Sequence, residues 1–448
     1  MAKRVVVIGG GSAGTGAATL AIQTDRSLDV TLLTEFEDIA YSPCGIPYVF
    51  GREVASMNNL FLQGKEFYAD MGLKLRTEVV VERIDINQRV VYATTGEQFP
   101  FDTLILCTGW EYEVPNVPGV DLEGVVFIKN IRRAMEIEKQ LDNVKKAVVW
   151  QAKPLGVELI EALPKRGIET HLVDAGGWLL SDFADPDMMK PLQDYLVDHE
   201  HVKMHFGATL DGFRGQNGKL THTLTSTGEI ETDMAFLVAP MKPATKLAQS
   251  IGVKTGSTGA IVVDNHMRTN VPNVFAAGAC VETMHGLLNI PINLIQGTYA
   301  YSEGRTAGTN AAGGDASYQP VYVPWGLGAK VQVGGALISE TLAKATGTPY
   351  VAATGLGITA ARYHPSHEKM MVKLLCDPET HRIIGAQFTG GEGVKERADF
   401  LAFAIRKATT VEELATMENV YSPAIGALNE PIATCAKNLL NALKQQRK

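Results

Sequence analysis

Paired cysteines are missing from this chain. Its five cysteines (Cys44, Cys107, Cys280, Cys376 and Cys435) are odd in number and widely spaced among 448 residues, with no CxxC. That pattern excludes a disulfide scaffold and a structural zinc site, and a reducing, cytoplasmic location is the default expectation. No apolar run reaches the ~18 residues of a transmembrane helix, so no membrane span is expected. A basic excess is missing as well. Lys and Arg total 41 against 49 Asp and Glu, a formal charge of −8, which argues against a general nucleic-acid binder. The opening Met1-Ala2-Lys3-Arg4 leads into Val5-Val6-Val7-Ile8, too short an apolar stretch for a signal-peptide core. Low-complexity segments and short repeats are absent. His199, His201 and His205 fall across a turn into a strand, a spacing that does not converge on a metal, so no metal site is expected.

Glycine, by contrast, is plentiful, at 44 residues, well above an average of about 7%. It points to tight turns and close backbone approaches to a ligand. The length suggests two to four domains of roughly 100–200 residues each. Residues 4–35 read strand, glycine turn, helix, strand, and residues 79–109 alternate as strands around Gly96. A helix is expected over 130–142, and a second strand–helix–strand unit from Ala147-Val148-Val149 to His171-Leu172-Val173-Asp174. Short strands fill 202–240, a buried strand ends at Gly278, and a helix follows over about 293–312. Strand and helix alternate through the first 320 residues, which predicts parallel, doubly wound sheets: an α/β chain with two Rossmann-like units in tandem. Beyond Gly313-Gly314 the pattern changes to three strands (331–338, 369–376, 382–389) and helices near 393–408, 410–417 and 430–446, a separate α+β unit. Lys444-Gln445-Gln446-Arg447-Lys448 reads as a frayed helix end.

Two motifs carry chemistry. Gly9, Gly11 and Gly14 form GxGxxG after a strand and at the opening of a helix, with Ser12 and Ala13 between the last two glycines, and Glu35 ends the next strand. Gly9 permits the tight turn, Gly11 lets backbone approach a pyrophosphate, Gly14 lets helix pack on strand, and Glu35 accepts ribose hydroxyls. This context makes a dinucleotide site a strong reading, though it does not separate FAD from NAD. Close behind lies Tyr41-Ser42-Pro43-Cys44-Gly45-Ile46-Pro47-Tyr48. A cysteine between Pro, Gly and Pro fits a shaped turn better than a core strand. Without a second cysteine within reach, it would work through a mixed disulfide, persulfide or sulfenate with an external partner.

Together with Asp102-Thr103-Leu104-Ile105-Leu106-Cys107-Thr108-Gly109, Asn116-Val117-Pro118-Gly119, the 269–278 run, Gly304-Arg305, Ile384-Gly385-Ala386-Gln387 and Tyr421-Ser422-Pro423, these motifs resemble the single-cysteine flavoprotein disulfide reductases. The branch is that of coenzyme A disulfide reductase, CoA-persulfide reductase and related NADH oxidases and peroxidases, and the likeness spans nearly the whole chain. The resemblance implies FAD across Gly9, Gly11, Gly14 and Glu35, with Thr108-Gly109 and the Gly278 strand closing over it. It implies that Cys44 faces the flavin and cycles with a CoA-type thiol or as a sulfenate. It implies a homodimer, in which Tyr421 of the partner subunit reaches the active site and Tyr363 matches a second tyrosine position. It divides the chain into an FAD-binding domain (1–113 and 262–324), an NAD(P)H-binding-like domain (114–261) and a dimerisation domain (325–448).

Two departures qualify that pattern. Where the family has its second GxGxxG, this chain has Trp150-Gln151-Ala152-Lys153-Pro154-Leu155-Gly156, and only Gly156 survives. Side chains at Gln151 and Lys153 stand where backbone should meet a pyrophosphate. Pro240-Met241-Lys242-Pro243 replaces the family's Gly-x-Arg-Pro, and Asp174 reads as a solvated strand end. Ordinary NAD(P)H binding is therefore expected to be impaired, with Lys153 offering a cation to some other anion. Secondly, Ala279 follows Gly278 where the family has an Asp that hydrogen-bonds the ribityl chain, a loss on the order of 1 kcal/mol; Cys280 reads as a packing residue. The expected activity is FAD-dependent thiol/disulfide exchange on a CoA-type disulfide or persulfide. The rivals are an NADH oxidase or peroxidase with a sulfenate at Cys44, and a flavoprotein electron-transfer subunit supplied by a protein donor.

Overall fold

The computed structural model describes residues 2–238, 240–318, 320–328 and 330–446. Met1, placed by the sequence before the first strand, and Arg447 and Lys448, placed at a frayed helix end, lie outside the described residues.

The first sheet is parallel and five-stranded. Its order is Val274–Ala276, Thr103–Leu106, Arg4–Ile8, Asp29–Leu33, Lys74–Arg76. Both faces are apolar because successive side chains point to opposite sides. Val5, Val7, Leu32 and Ile105 pack with Ala13, Ala17 and Ala21 of the Ser12–Thr24 helix. Val6, Ile8, Leu104 and Leu106 pack on the other side with Ile84, Val91 and Phe101. The Gly297–Ala311 helix lies directly on the Ser12–Thr24 helix. A Cβ at Gly304 or Gly308 would sit 2.1 Å from the carbonyl oxygen of Ala13 or Ala17, so only glycine permits this approach.

A second parallel sheet repeats the winding, in the order Lys203–Phe206, Glu169–Asp174, Lys146–Trp150, Met234–Leu237, Val125–Val126. The third sheet is antiparallel: Pro324–Leu327, Gln332–Leu337, Ile383–Gly390, Lys369–Cys376, Val351–Ile358. Helices Val394–Arg406 and Pro431–Gln446 cover it. The expected α/β architecture with a C-terminal α+β unit is present.

The chain also forms elements that its pattern did not announce. The C-terminal sheet has five strands where three were expected. One of the additional pair, Val351–Ile358, reads VAATGLGI, with two glycines in place of an alternating apolar face. Those glycines have a packing role: a Cβ at Gly355 would meet Cys435 Cα at 2.8 Å, and one at Gly357 would meet Pro431 Cγ at 2.7 Å. The Pro186–Asp198 helix is likewise unannounced; it has a proline at its start, where proline is well accepted, and Pro191 inside, where proline usually breaks a helix.

Candidate active site

The first glycine motif has the geometry of a nucleotide cradle. Gly9 sits at φ +113°, and a Cβ there would lie 2.0 Å from the Cys107 carbonyl oxygen. The Gly9 N–H donates to the Leu33 carbonyl at 2.8 Å, which fixes the turn. A Cβ on Gly14 would strike the Gly9 carbonyl at 1.7 Å, whereas one on Gly11 would meet nothing within 4 Å. The turn is therefore closed on the protein side and open on the other. The Ser12–Thr24 helix starts here with Gly11 at its N-cap and no side-chain cap, which leaves its first amides available to an anion. Glu35 is exposed just past the Asp29–Leu33 strand.

Two more segments meet this turn at the carboxyl ends of neighbouring strands, where an open α/β sheet takes its ligand. Gly109 has φ +69°, and Thr108 Oγ1 donates to the Ala244 carbonyl at 2.6 Å. Gly278 has φ +86°, and its missing Cβ would be 2.7 Å from that of Ala13, so this turn lies on the start of the first helix. Ala279 is buried beside it with no polar side-chain atom to offer. Cys280 is fully buried, as a packing residue should be.

Under the Gly278 turn lies a group that the sequence did not flag. Glu303 is 3% exposed, and its Oε2 accepts the Gly278 N–H at 2.9 Å. Burial lifts its carboxyl to about 8. The folded protein therefore keeps this proton at neutral pH while the unfolded chain loses it above about 4.5. Glu303 thus lets stability fall as pH rises from about 4.5 to about 8. Glu303→Gln keeps an acceptor for Gly278 without the charge. The variant is expected to match the parent Tm at pH 5 and to exceed it at pH 8.5; equal Tm values at both pH would refute this.

Cys44 lies on the 3-10 turn Pro43–Gly45 that leads into the Ile46–Phe50 helix. It is solvent-accessible, whereas the other four cysteines are buried. Enough protein surrounds its sulfur for desolvation to raise the thiol above its usual range, and Glu158 raises it further. Tyr363 and Tyr421 meet each other on the C-terminal unit, with hydroxyls 3.0 Å apart, and both side chains are exposed.

The second glycine position keeps the fold of the first without its residues. Gln151 holds φ +81°, the left-handed conformation that Gly9 adopts, at a strain cost of order 1 kcal/mol or more. Its N–H donates to Val173 at 2.8 Å, in parallel with the Gly9 bond to Leu33. A Cβ on Gly156 would meet the Gln151 carbonyl at 2.1 Å, which explains why this glycine alone persists. Pro154 occupies the first helical position and removes one amide that an anion would use. Lys153 is ion-paired with Asp182, so its cation is already engaged rather than held ready for a ligand. Asp174 corrects the sequence reading: it is 8% exposed rather than solvated. Its carboxylate accepts the N–H groups of Ala152 at 2.7 Å and Gly176 at 2.6 Å, binding the turn to itself.

Comparison with known proteins agrees with this geometry. Residues 3–300 match the model of the pyridine nucleotide-disulphide oxidoreductase family, and residues 324–430 match the dimerisation domain of the same family. The chain belongs to this family. It is a flavoprotein oxidoreductase. An NADH oxidase of Methanocaldococcus jannaschii is 30% identical over 452 residues, covering 99% of this chain and 100% of that protein. An NAD(P)H coenzyme A polysulfide/persulfide reductase of Pyrococcus horikoshii is 26% identical over 98% of this chain and 99% of its own length. Among solved structures, an NAD-dependent persulfide reductase from A. fulgidus superposes with a TM-score of 0.95 at 27% identity, covering 99% of this chain and 84% of that one. No helix among the described residues is long and apolar enough to cross a membrane.

Proposed function

We propose that this enzyme carries out thiol/disulfide exchange at Cys44 on a CoA-type disulfide or persulfide, as a cytoplasmic homodimer. The observation that carries the reading is that the one accessible cysteine of five lies on a turn that follows, shortly after in the chain, an open dinucleotide cradle. FAD fits that cradle. Gly9, Gly11 and Gly14, with the Ser12 and Ala13 amides, would hold its pyrophosphate, Glu35 its ribose, and Thr108, Gly109, Gly278 and Ala279 would line its remaining length. When bound, FAD supplies two-electron exchange with a sulfur placed against it. Residues 1–113 and 262–324 would then form the FAD-binding domain, 114–261 the NAD(P)H-binding-like domain and 325–448 the dimerisation domain. The exposed Tyr363–Tyr421 pair suits a surface that pairs with a second copy, from which Tyr421 of the partner subunit would donate its phenol to a substrate sulfur. The test is turnover of coenzyme A disulfide and of CoA persulfide by the purified holoenzyme; failure with both would sink the substrate assignment. The Methanocaldococcus relative favours a second reading, NADH oxidation with a sulfenate at Cys44.

The electron donor is a separate matter. The relatives named above are NADH or NAD(P)H enzymes, but the Gln151–Gly156 turn keeps little that binds a pyrophosphate. We expect NADH and NADPH to reduce the flavin with KM above about 1 mM, the upper end of the usual range. The double variant Gln151→Gly/Lys153→Gly removes both side chains and the Asp182 pairing. It is expected to lower that KM at least about tenfold, which corresponds to about 1.4 kcal/mol. Anaerobic stopped-flow reduction of the flavin measures both, and a parent KM in the micromolar range would overturn the prediction.

A further inference from the structure

The helix that follows Cys44 is too short to hold its own place. Ile46–Phe50 has five residues, and an isolated helix below about 12–15 residues is marginal in water, so what packs on it decides where it sits. That packing comes from the unit built on the second sheet. Ile46, Val49 and Phe50, at the spacing of one helix face, are buried in one apolar core with Ile131, Leu159 and Ile160. The helix lies against Ile131–Leu141 and Pro154–Ala162, the helices before and after the Lys146–Trp150 strand. A Cβ on Gly51 would touch Ala162 Cα at 3.3 Å, and the Phe50 and Phe236 ring centroids lie 6.2 Å apart.

Cations of the same unit grip the chain on both sides of Cys44. Before it, Arg132 donates from Nε and Nη2 to the two Asp38 oxygens at 2.5 and 2.9 Å, and Nη2 reaches Glu37 at 3.2 Å. The Asp38 side chain is only 8% exposed, so the guanidinium fork closes on a largely desolvated carboxylate. After it, Arg166, with a side chain 6% exposed, donates from Nε to the Phe50 carbonyl at 2.5 Å and from Nη1 to Asp142 at 2.7 Å. The Phe50 carbonyl is the last of the short helix, one that the helix itself leaves free. Arg52, held in the left-handed region at φ +61°, meets the same Asp142 oxygen at 2.8 Å, and Lys165 Nζ lies 2.7 Å from Glu53. The C-terminal unit adds one bond, from Tyr48 Oη to the Gly328 carbonyl at 3.3 Å.

We propose that the unit built on the second sheet holds the Cys44 turn in place for disulfide exchange, and that Arg132 and Arg166 are its positioning residues. Neither touches the sulfur; each acts through the backbone that carries it. Such a role keeps the unit useful although its Gln151–Gly156 turn has lost most of what binds a pyrophosphate. Exchange needs the attacking sulfur in line with the bond it breaks, and a misplacement of about 1 Å can cost on the order of 100-fold in rate. The inference rests on Cys44 being the reacting sulfur.

The test is Arg132→Met and Arg166→Met in the holoenzyme, at a temperature where each variant is fully folded. Hydrogen exchange read by mass spectrometry is expected to speed up over residues 41–54 by at least about tenfold, the worth of one hydrogen bond from a charged group. The Arg4–Ile8 strand is expected to keep its parent rate. In disulfide turnover kcat is expected to fall at least about tenfold, with KM unchanged and the flavin still bound. An unchanged rate over 41–54 overturns the proposal. So does faster exchange in both segments alike, because a merely structural loss loosens the whole chain. Faster local exchange with parent turnover overturns it as well, since the reaction would then make no use of the grip. Should Arg166→Met fail to fold, Arg166→Lys keeps the charge without the fork that reaches Phe50 and Asp142 together. The same local rise and loss of kcat are expected, and their absence overturns the proposal equally. Turnover that survives Cys44→Ser would refute the reading of Cys44 itself, whereas exchange over 41–54 reports on the grip whatever the reacting group.

Discussion

Replacing Cys44 by serine is expected to lower disulfide turnover at least about 10³-fold while leaving the flavin bound. The magnitude follows from the chemistry. A serine hydroxyl is far less acidic and less nucleophilic than a thiol, and it cannot form the mixed disulfide that divides the exchange into two steps. The selectivity follows from the structure. Cys44 is exposed on its own short turn, while the cradle is built from Gly9, Gly14, Gly109 and Gly278, none of which depends on the sulfur. The substitution removes one polarisable atom from a solvent-facing site and leaves no buried cavity. The Cys44→Ser protein should therefore show the parent flavin absorbance and Tm with turnover at background. Retention of more than a tenth of the parent rate would remove Cys44 from the mechanism. Loss of flavin would show instead that the turn supports the cradle. The same substitution on buried Cys107, whose carbonyl lies against Gly9, is the natural contrast, since a hydroxyl there would disturb the core and leave the sulfur chemistry intact.

What the sequence reveals depends on the range of the interactions involved. The first glycine turn is largely local: its strand, turn and helix occur within about twenty residues, and Gly14 answers a contact inside that span, although Gly9 meets the Cys107 carbonyl from far along the chain. Cys44 is legible for the same reason, since its flanking prolines and glycine shape a turn in place. The second motif shows the limit of such reading. Its lost glycines are plain in the sequence, but the left-handed Gln151 and the capture of Asp174 by the Ala152 and Gly176 amides follow only from the folded turn. An acid at a strand end looks solvated until the chain wraps back over it. Glu303 lies further out of reach. It sits on a helix whose own pattern is unremarkable, and its partner, the Gly278 N–H, is 25 residues away in the chain. Glycine content was similarly ambiguous: in Val351–Ile358 it conceals a strand, because the missing side chains make room for a helix on that face.

The largest loss of stability is expected at a residue far from the sulfur. Lys373, on the Lys369–Cys376 strand, has a side chain only 4% exposed. Its Nζ lies 2.6 Å from Asp187, 2.8 Å from Glu340 and 3.3 Å from Asp185. Burial works against the ammonium, but Asp187, Glu340 and Asp185 more than offset it, so its pKa rises. Asp185 is itself buried, at the N-cap of the Pro186–Asp198 helix that the sequence concealed. It accepts Thr341 N–H and Oγ1, both at 2.9 Å, and the Glu340 N–H at 3.1 Å. Gln387, part of the Ile384-Gly385-Ala386-Gln387 motif, donates to the Asp185 carboxylate at 2.5 Å and accepts its backbone N–H at 2.8 Å. One cation thus joins the second sheet unit to the C-terminal sheet. Lys373→Met keeps much of the volume but strands a buried carboxylate, and removing one partner of such a network costs about 3–5 kcal/mol. Part of that loss should return in Lys373→Met/Asp185→Asn, where the stranded charge is gone. The single variant should also recover relative to the parent as pH falls. The Asp185 pKa is held down in the parent by Thr341 and Lys373, although burial opposes them, and protonation at low pH costs the parent this pairing while it neutralises the stranded acid in the variant. Urea unfolding at pH 7.5 and pH 5 measures each quantity. A loss below about 1 kcal/mol at pH 7.5, within the range of an exposed ion pair, would show that the network joins the two units weakly.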